Sequence, residues 1–378
     1  MRLCYVGNLG SVHTRRWAGF FAEKGHDVHV IATTTTPQNV DAGAYTVHPW
    51  PAHRTGSYLR DLLVASVDMP RSVLKLRQLL RTIEPDLVHV HYVNEAAFFA
   101  VLAGVHPLVL TAWGSDILIS PEKSWVRKQV VKYTVRKADL VTCDADHMKR
   151  SIARLGADPE RVQVIFFGTD VERYQPARRD AALRARIAPD ATHLIISIRS
   201  LEPVYDVESL IRAIPAVRSR FPSAIFLVGG TGSQAGALQK LAVELGVEGQ
   251  IRFLGALSQD DLPAYLASSD LYVSTALSDG GIAASTAEAM ASGLPVVITD
   301  AGDNRQWVED DLHGFLVPPA DPERLAGATI RLLDDAAHRD RMGCAGREVI
   351  VERNNLYREM SRMEGHYQHL VAAGAKGA

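Results

Sequence analysis

Residues 278–298 combine groups that could bind a phosphorylated ligand rich in hydroxyls. An apolar run leads into two glycines, Gly280 and Gly281, and then into a helix-forming segment that contains Glu288. Glycines let a ligand approach the backbone, and the unpaired N–H groups of a helix's first turn attract anions such as phosphate. A carboxylate at Glu288, about one turn further on, is suited to accept hydrogen bonds from hydroxyls. Phosphate beside hydroxyls indicates the diphosphate and ribose of a nucleotide.

Cations also favour phosphate binding, and Arg199 is the candidate. It follows the apolar run 194–198, which predicts a strand, and α/β proteins bind ligands at the carboxyl ends of strands. A guanidinium there can hold two phosphate oxygens at once; a surface salt bridge is the alternative. The glycine turn at Gly230 follows another predicted strand. It fails the Walker A test because no Gly-Lys-Ser/Thr follows it.

Apolar runs that alternate with amphipathic segments predict two domains of parallel strands and helices. The predicted strands are 2–7, 27–32, 85–91, 107–111, 139–143 and 162–167, then 193–198, 224–228, 251–254, 271–274, 296–298 and 315–317. Among the helices, 13–24, 60–83 and 125–137 are predicted in the first half, and Pro70 is expected to break or kink the second of these. A turn-rich, charged stretch at 168–180 separates the halves. We predict domains at 1–172 and 173–354, followed by a terminal helix at 355–378.

The composition and charge of the chain argue against several classes of function. The chain has 378 residues, of which 47% are hydrophobic and 22% charged, as is typical of globular proteins. A net charge of −2 offers no general attraction to nucleic acid, so no nucleic-acid partner is expected. Its three cysteines are far apart and support neither a disulfide framework nor a zinc site. The N-terminus enters a strand directly, and no apolar run reaches the roughly 18 residues of a membrane span, so we expect a cytoplasmic protein.

Residues 288–297, Glu-Ala-Met-Ala-Ser-Gly-Leu-Pro-Val-Val, resemble the nucleotide-sugar site of retaining glycosyltransferases of the GT-B fold, in glycosyltransferase family 4. This resemblance implies an α/β protein with two doubly wound, Rossmann-like domains that face a cleft. It also implies a C-terminal helix that crosses back to the first domain. The second domain would bind a nucleotide-sugar donor, and the first domain would bind the acceptor.

Three positions depart from the family's usual pattern. Relatives carry an acid eight residues before the glutamate, where this chain has Gly280 beside Asp279. The first carboxylate is therefore missing or displaced by one residue. Relatives also have a lysine where Tyr205 stands, and many have a histidine where Trp113 stands.

The resemblance implies a role for each candidate residue. Glu288 would bind the ribose, and Arg199 would bind the departing diphosphate and act in catalysis. The remaining predicted donor-binding residues are Gly10, Tyr205, Gly230, Asp279, Gly281, Ile282, Ala283, Ala284 and Ser285. Packing is the alternative for Tyr205, and a plain turn is the alternative for Gly10 and Gly230.

The acceptor side is predicted in the first half, at His13, Trp113 and Asp116. Asp116 would hold or polarise an acceptor hydroxyl as the second catalytic group, with helix capping as its alternative. His89 and His91 alternate in a predicted strand without other metal ligands nearby. We expect His89 to pack inside the domain and His91 to line the cleft.

Together these features predict a retaining glycosyltransferase that transfers a sugar from a UDP- or GDP-sugar to a hydroxyl of a glycan, lipid-linked or natural-product acceptor. Without a carboxylate pair that suggests a covalent intermediate, the leaving phosphate could take the acceptor's proton. No cofactor and no metal ion is expected. A nucleotide-sugar epimerase on the same fold and a non-catalytic nucleotide-sugar binding protein are the alternatives.

Two predicted helices, at 71–81 and 126–137, mix basic and apolar residues. Such surfaces can hold a protein against anionic lipid, which would suit a lipid-linked acceptor at the inner face of a membrane. An ordinary solvated face is the alternative.

Overall fold

In a computed structural model, the chain divides into two compact units. The first contains Met1–Phe167 and Arg358–Ala378, and the second contains Gly168–Tyr357. The sequence had predicted the boundaries after residues 172 and 354. The structure describes residues 1–34, 44–50, 58–279 and 281–377, with the side chains of 58–68 and 375–377 outside that description.

Each unit is built on one parallel sheet, of seven strands in the first and six in the second. The strands of the first sheet are β1 (Arg2–Gly7), β2 (Asp27–Ala32), β3 (Thr46–Pro49), β4 (Leu87–His91), β5 (Leu108–Thr111), β6 (Leu140–Cys143) and β7 (Val162–Val164). Those of the second are β8 (His193–Ile198), β9 (Ala224–Gly229), β10 (Ile251–Gly255), β11 (Leu271–Ser274), β12 (Val296–Thr299) and β13 (Gly314–Val317).

The two sheets share one winding pattern. The first has the order β3-β2-β1-β4-β5-β6-β7, and the second has the order β10-β9-β8-β11-β12-β13. The strand order therefore reverses between β1 and β4 in the first unit and between β8 and β11 in the second. Ligands of doubly wound sheets bind outside the carboxyl ends of the strands at such a reversal.

Helices connect most of the strands. They are α1 (Val12–Glu23), α2 (Tyr58–Ile83), α3 (Glu95–Leu102), α4 (Ser115–Leu118), α5 (Trp125–Lys137), α6 (Asp146–Arg154), α7 (Ala181–Ile187), α8 (Val207–Arg220), α9 (Ala235–Glu244), α10 (Leu262–Ala267), α11 (Ala284–Ala291), α12 (Pro322–Asp334), α13 (Ala336–Arg353) and α14 (Leu356–Gly377).

The first sheet separates two kinds of core because side chains alternate along its strands. On one face, Cys4, Val6 and Val90 contribute to an apolar core with residues of α2, α3, α5 and α6. On the other face, Tyr5 and His89 meet aromatic residues of α1 and α14.

The last helix completes the first unit, as predicted. Tyr367 of α14 is fully buried, and its hydroxyl lies 2.6 Å from Nδ1 of His89 and 3.0 Å from the hydroxyl of Tyr5. Glu364 of the same helix pairs with Lys24 and His26 near the end of α1. A buried polar network with a charged rim therefore anchors α14.

Two elements differ from the prediction. Helix α2 continues through Pro70, so the helix does not break there, and the other expectation, a kink, stays a prediction. Proline removes one backbone hydrogen bond, but buried Val73, Leu76 and Ile83 still pack this helix onto the core. Strand β3 was not predicted, because its sequence, Thr-Val-His-Pro, has a single large aliphatic residue and lies at the sheet edge.

Candidate functional site

The reversal in the second sheet brings together two of the predicted site residues. Arg199 follows β8 directly, and Asp279 lies in the loop after β11, the neighbouring strand. Arg199 Nη2 is 2.6 Å from Asp279 Oδ1, and the two side chains are only 8% and 10% exposed. The predicted phosphate ligand is therefore held in a buried ion pair at the edge of the sheet where ligands bind.

The ring of Tyr205 also contacts the guanidinium of Arg199. The centre of its ring lies 4.3 Å from Cζ of Arg199, within the range of a cation–π contact. Thr275 holds the Tyr205 backbone, because its hydroxyl donates to that carbonyl oxygen over 2.9 Å. Tyr205, at the position where the resemblance implies a lysine, therefore restrains Arg199 and adds no second cation.

Burial and charge oppose each other at this pair. Burial acts to lower the pKa of Arg199, but interactions with Tyr272 and Asp279 outweigh it and raise the pKa above its ordinary value. Burial raises the pKa of Asp279, and the charge of Arg199 opposes that shift. Arg199 therefore favours the ionised form of Asp279, which burial disfavours.

Glycines allow two loops to approach the pair closely. A Cβ at Gly230, whose φ is +138°, would lie 2.0 Å from the carbonyl oxygen of Arg199. A Cβ at Gly302, whose φ is +56°, would lie 1.8 Å from the carbonyl oxygen of Asp279. The lack of a side chain at Gly230 therefore leaves room for the backbone of Arg199. The predicted contact of Gly230 with a nucleotide stays a prediction. The sequence analysis missed Gly302 because it lies beyond the motif.

Helix α11 begins beside this pair, as the sequence predicted. Among the described residues no side chain caps its start at Ala283, and the Ser285 hydroxyl in the first turn lies 2.8 Å from the Tyr272 hydroxyl. The residues at and before this start are half-buried Gly281, Ala283, Ala284 and Ser285, together with buried Ile282. Gly280 lies outside the described residues. An uncapped helix start is suited to bind an anion.

Glu288 lies in the second turn of α11 and is only 6% exposed. Its backbone carbonyl accepts a hydrogen bond from the hydroxyl of Ser292 over 2.9 Å, so the helix continues regularly beyond it. The placement agrees with a carboxylate that follows a phosphate-binding turn. The predicted contact with ribose stays a prediction.

The first unit places an aromatic cluster near the reversal between β1 and β4. The rings of His13 and Trp113 stack with centroids 4.3 Å apart and an interplanar angle of 16°. Trp17 and His91 pack edge-on nearby. The four ring nitrogens without a hydrogen-bond partner among the described residues are Nδ1 of His13, Nε1 of Trp17, Nε2 of His91 and Nε1 of Trp113. Such a concentration marks a place that water or a ligand completes.

Two histidine predictions can be compared with this arrangement. His89 is buried, and its Nε2 lies 2.6 Å from the Thr111 hydroxyl, so its packing inside the domain is confirmed. His91 is only 4% exposed, and its expected place lining the cleft stays a prediction. Trp17 and Thr14 of α1 cover it, because a residue at the end of a central strand lies beneath the following helix.

Asp116 is fully buried and joins the loops after β4 and β5. Its Oδ2 accepts the N–H of Val93 over 2.8 Å, and its Oδ1 accepts those of Gly114 and Trp113 over 3.0 and 3.2 Å. Burial raises the pKa of Asp116, whereas these backbone hydrogen bonds lower it. Asp116 therefore holds the backbone of Trp113 and the two loops together, although α4 itself begins at Gly114 without a side-chain cap. Its predicted contact with an acceptor hydroxyl stays a prediction.

Gly10 is exposed in the turn before α1. Its N–H donates to Oδ1 of Asn8 over 2.7 Å, so that amide serves the turn itself. The geometry favours the tight-turn alternative at this position.

The aromatic cluster should make stability depend on pH. Burial, and then Arg16, lowers the pKa of His13 to about 4; burial, and then His13, lowers that of His91 to about 3. Unfolded histidine titrates near 6.5, so below that pH the unfolded chain binds more protons. The free energy of unfolding therefore has its full value above about pH 6.5. It should decrease toward pH 4 by about 1.4 kcal/mol per pH unit for each such histidine.

Thermal unfolding between about pH 7 and about pH 5 measures this loss. His13→Phe keeps a ring against Trp113 but cannot titrate, so the variant should lose less stability on acidification. Equal losses in the variant and the unchanged chain would contradict the assignment.

Among the described residues, no group of three or more His, Cys, Asp or Glu side chains is arranged to hold a metal ion.

Two family models match the chain. Residues 179–349 match the model described as glycosyl transferases group 1, and residues 2–145 match the model described as glycosyl transferase 4-like. The chain belongs to the group 1 glycosyltransferases. The predicted family is thereby confirmed.

This group 1 glycosyltransferase is similar to curated enzymes. It is 27% identical over 303 residues to the GDP-mannose-dependent alpha-(1-6)-phosphatidylinositol monomannoside mannosyltransferase of Mycobacterium tuberculosis, covering 76% of this chain and 77% of that protein. It is 30% identical over 280 residues to the D-inositol 3-phosphate glycosyltransferase of Salinispora tropica, covering 67% and 58%.

A solved structure also resembles this glycosyltransferase. The crystal structure of Anabaena HepE in complex with UDP has a TM-score of 0.78 and 21% sequence identity, covering 98% of this chain and 100% of that one. At this identity the likeness concerns the fold, and it confirms the predicted α/β fold class.

Proposed function

We propose that this glycosyltransferase transfers a sugar, with retention at the anomeric carbon, from a UDP- or GDP-sugar to a hydroxyl acceptor. The observation that carries the proposal is the buried Arg199–Asp279 pair beside the uncapped start of α11. A guanidinium and a helix start are complementary to a diphosphate. The curated relative that is named as GDP-mannose-dependent supports a nucleotide-sugar donor.

Arg199 is suited to the departing diphosphate. Breaking the bond between sugar and phosphate leaves negative charge on a phosphate oxygen, which a preorganised guanidinium stabilises. Arginine has five N–H donors, and the contact with Asp279 uses one nitrogen, so others can serve phosphate while Asp279 and Tyr205 hold the group in place. Asp279 would then orient Arg199 and would not need to touch the sugar.

The remaining donor contacts follow from α11. Backbone amides of its first turn would bind phosphate, and Glu288 would accept hydrogen bonds from the ribose hydroxyls. The acceptor hydroxyl forms the new bond to the anomeric carbon as the bond to the phosphate breaks, and the leaving phosphate takes its proton. Because Arg199 and the helix start already supply positive charge, we propose that neither a metal ion nor a cofactor is required.

The acceptor is assigned to the first unit. Its proposed contacts are half-buried His13 and Trp113, whose stacked rings lie near the strand-order reversal of the first sheet. Two relatives are named for phosphatidylinositol monomannoside and inositol phosphate, which supports a glycan or lipid-linked polyol acceptor. The proposed setting is the cytoplasm, at the inner face of a membrane where the acceptor is lipid-linked.

A thermal-shift screen of nucleotide diphosphates and their sugars tests the donor class. Binding at a concentration about 100-fold above Kd contributes about 2.7 kcal/mol, which should raise Tm by about 5 °C or more. We expect UDP or GDP, and the corresponding nucleotide sugars, to raise Tm. NAD, which should not bind, is the negative control. Absence of a shift with every nucleotide diphosphate would contradict the proposal, and consumption of the donor without an acceptor would favour the epimerase.

A further inference from the structure

Exposed apolar side chains are concentrated on the first unit around α4 and α5. They are Leu118, Ile119, Trp125, Val126 and Tyr133, with exposed fractions of 37%, 54%, 74%, 41% and 44%. Eleven large hydrophobic residues are exposed among the described residues, and five of them lie within this short stretch. Isolated exposed hydrophobics are ordinary, whereas several on consecutive elements indicate an interaction surface. We name these five residues the α4–α5 patch.

The patch is distinct from the side of α5 that packs inward. Val126 and Tyr133 are seven residues apart and so lie on one face of α5, whereas Val131 and Val135 of the same helix are buried in the core. An ion pair between Glu122 and Lys128, 2.9 Å long, joins the turn after α4 to α5. The exposed residues therefore belong to an ordered surface and are not needed to build the core.

Basic residues are interspersed with the patch residues along the chain. Between residues 119 and 137 the chain has six basic side chains and one acidic side chain, although the whole chain carries a net charge of −2. The basic residues are Lys123, Arg127, Lys128, Lys132, Arg136 and Lys137. Lys123, Arg136 and Lys137 are exposed. The patch thus combines apolar groups with an excess of positive charge.

We propose that the α4–α5 patch binds the surface of an anionic lipid bilayer. Tryptophan is favoured at the boundary between lipid and water, aliphatic side chains enter the acyl region, and lysine and arginine attract anionic head groups. In the described part of the chain, no helix is both long enough and apolar enough to cross a membrane, so the contact is with the bilayer surface.

Trp125 reports directly on this contact. The chain has five tryptophans; Trp17, Trp50 and Trp307 are at most 4% exposed, whereas Trp125 is 74% exposed. With the full chain, vesicles that contain phosphatidylglycerol should shift the emission to shorter wavelengths, and brominated lipid should quench it. Phosphatidylcholine vesicles should do neither. Added salt should reverse the binding, because the head-group attraction is screened.

Matched variants test the residues. Trp125→Ala and Lys123→Glu should each lower the affinity for phosphatidylglycerol vesicles, measured by co-sedimentation, by about tenfold. Val243→Ala and Lys240→Glu change similarly exposed residues on α9 and should retain the full affinity. Equal Tm values for all four variants and the unchanged chain establish that folding is intact.

Three results would overturn the proposal: no binding to either vesicle, binding that ignores the lipid charge, or equal losses in the α9 variants. A change from dimer to monomer in Trp125→Ala, seen by light scattering, would reassign the patch to contact with a second copy. The proposal goes beyond the transfer chemistry and does not rest on it. Transfer to a water-soluble acceptor should be unchanged in Trp125→Ala, so either proposal can fail alone.

Discussion

Arg199→Ala should lower turnover about 100- to 1000-fold, with a much smaller loss of donor affinity. The guanidinium is preorganised by Asp279 and Tyr205, so its largest contribution is expected where charge develops on the leaving phosphate. Steady-state kinetics would give kcat, and calorimetric titration with the nucleoside diphosphate would give Kd. An unaltered kcat would remove Arg199 from the leaving-group role.

The same substitution leaves the buried carboxylate of Asp279 without its partner. Losing one member of a buried ion pair costs about 3–5 kcal/mol, so lower activity could reflect unfolding alone. The double variant Arg199→Ala with Asp279→Asn separates the two effects, because asparagine carries no charge. It should regain most of the lost Tm while turnover stays low. Recovery of turnover together with Tm would show that Arg199 acts through stability.

Glu288→Ala should weaken the binding of UDP or GDP about 10- to 100-fold, since hydrogen bonds to a charged group contribute about 1.5–3 kcal/mol. Glu288→Gln keeps the shape of the side chain and should show a smaller loss. Titration calorimetry with the nucleoside diphosphate measures both variants.

Glu359 offers a matched control for Glu288. It is 5% exposed, and its carboxylate accepts the N–H of Phe166 over 2.9 Å in the first unit. Glu359→Gln should leave the Kd of the nucleoside diphosphate unchanged. If Glu288→Ala bound the diphosphate as tightly as the unchanged chain, the ribose contact would be refuted.

Local patterns were enough to predict most of the elements. The central strands of both sheets are continuous apolar runs, because parallel strands are buried on both faces. The same logic placed Arg199 at the end of β8 and Glu288 on α11. Strand β3 was not predicted, because a strand at the edge of a sheet does not need a continuous apolar run.

Contacts between distant segments could not be read from those patterns. The Arg199–Asp279 pair joins residues 80 positions apart, and neither side chain indicates its partner in the sequence. The constraint at Gly302 depends on how two loops pack. The burial of His91 depends on Trp17, which belongs to a separate helix. A pattern that locates strand ends thus identifies residues near a site but not their bonds.

The anchoring of α14 affects how the chain matures. Tyr367 completes the hydrogen bonds of Tyr5 and His89, although it is made after the whole second unit. During synthesis the part of this sheet face that α14 packs against therefore stays uncovered, although α1 is already present, until the last helix is made. Domains usually fold in the order of synthesis, but here the second unit can finish first.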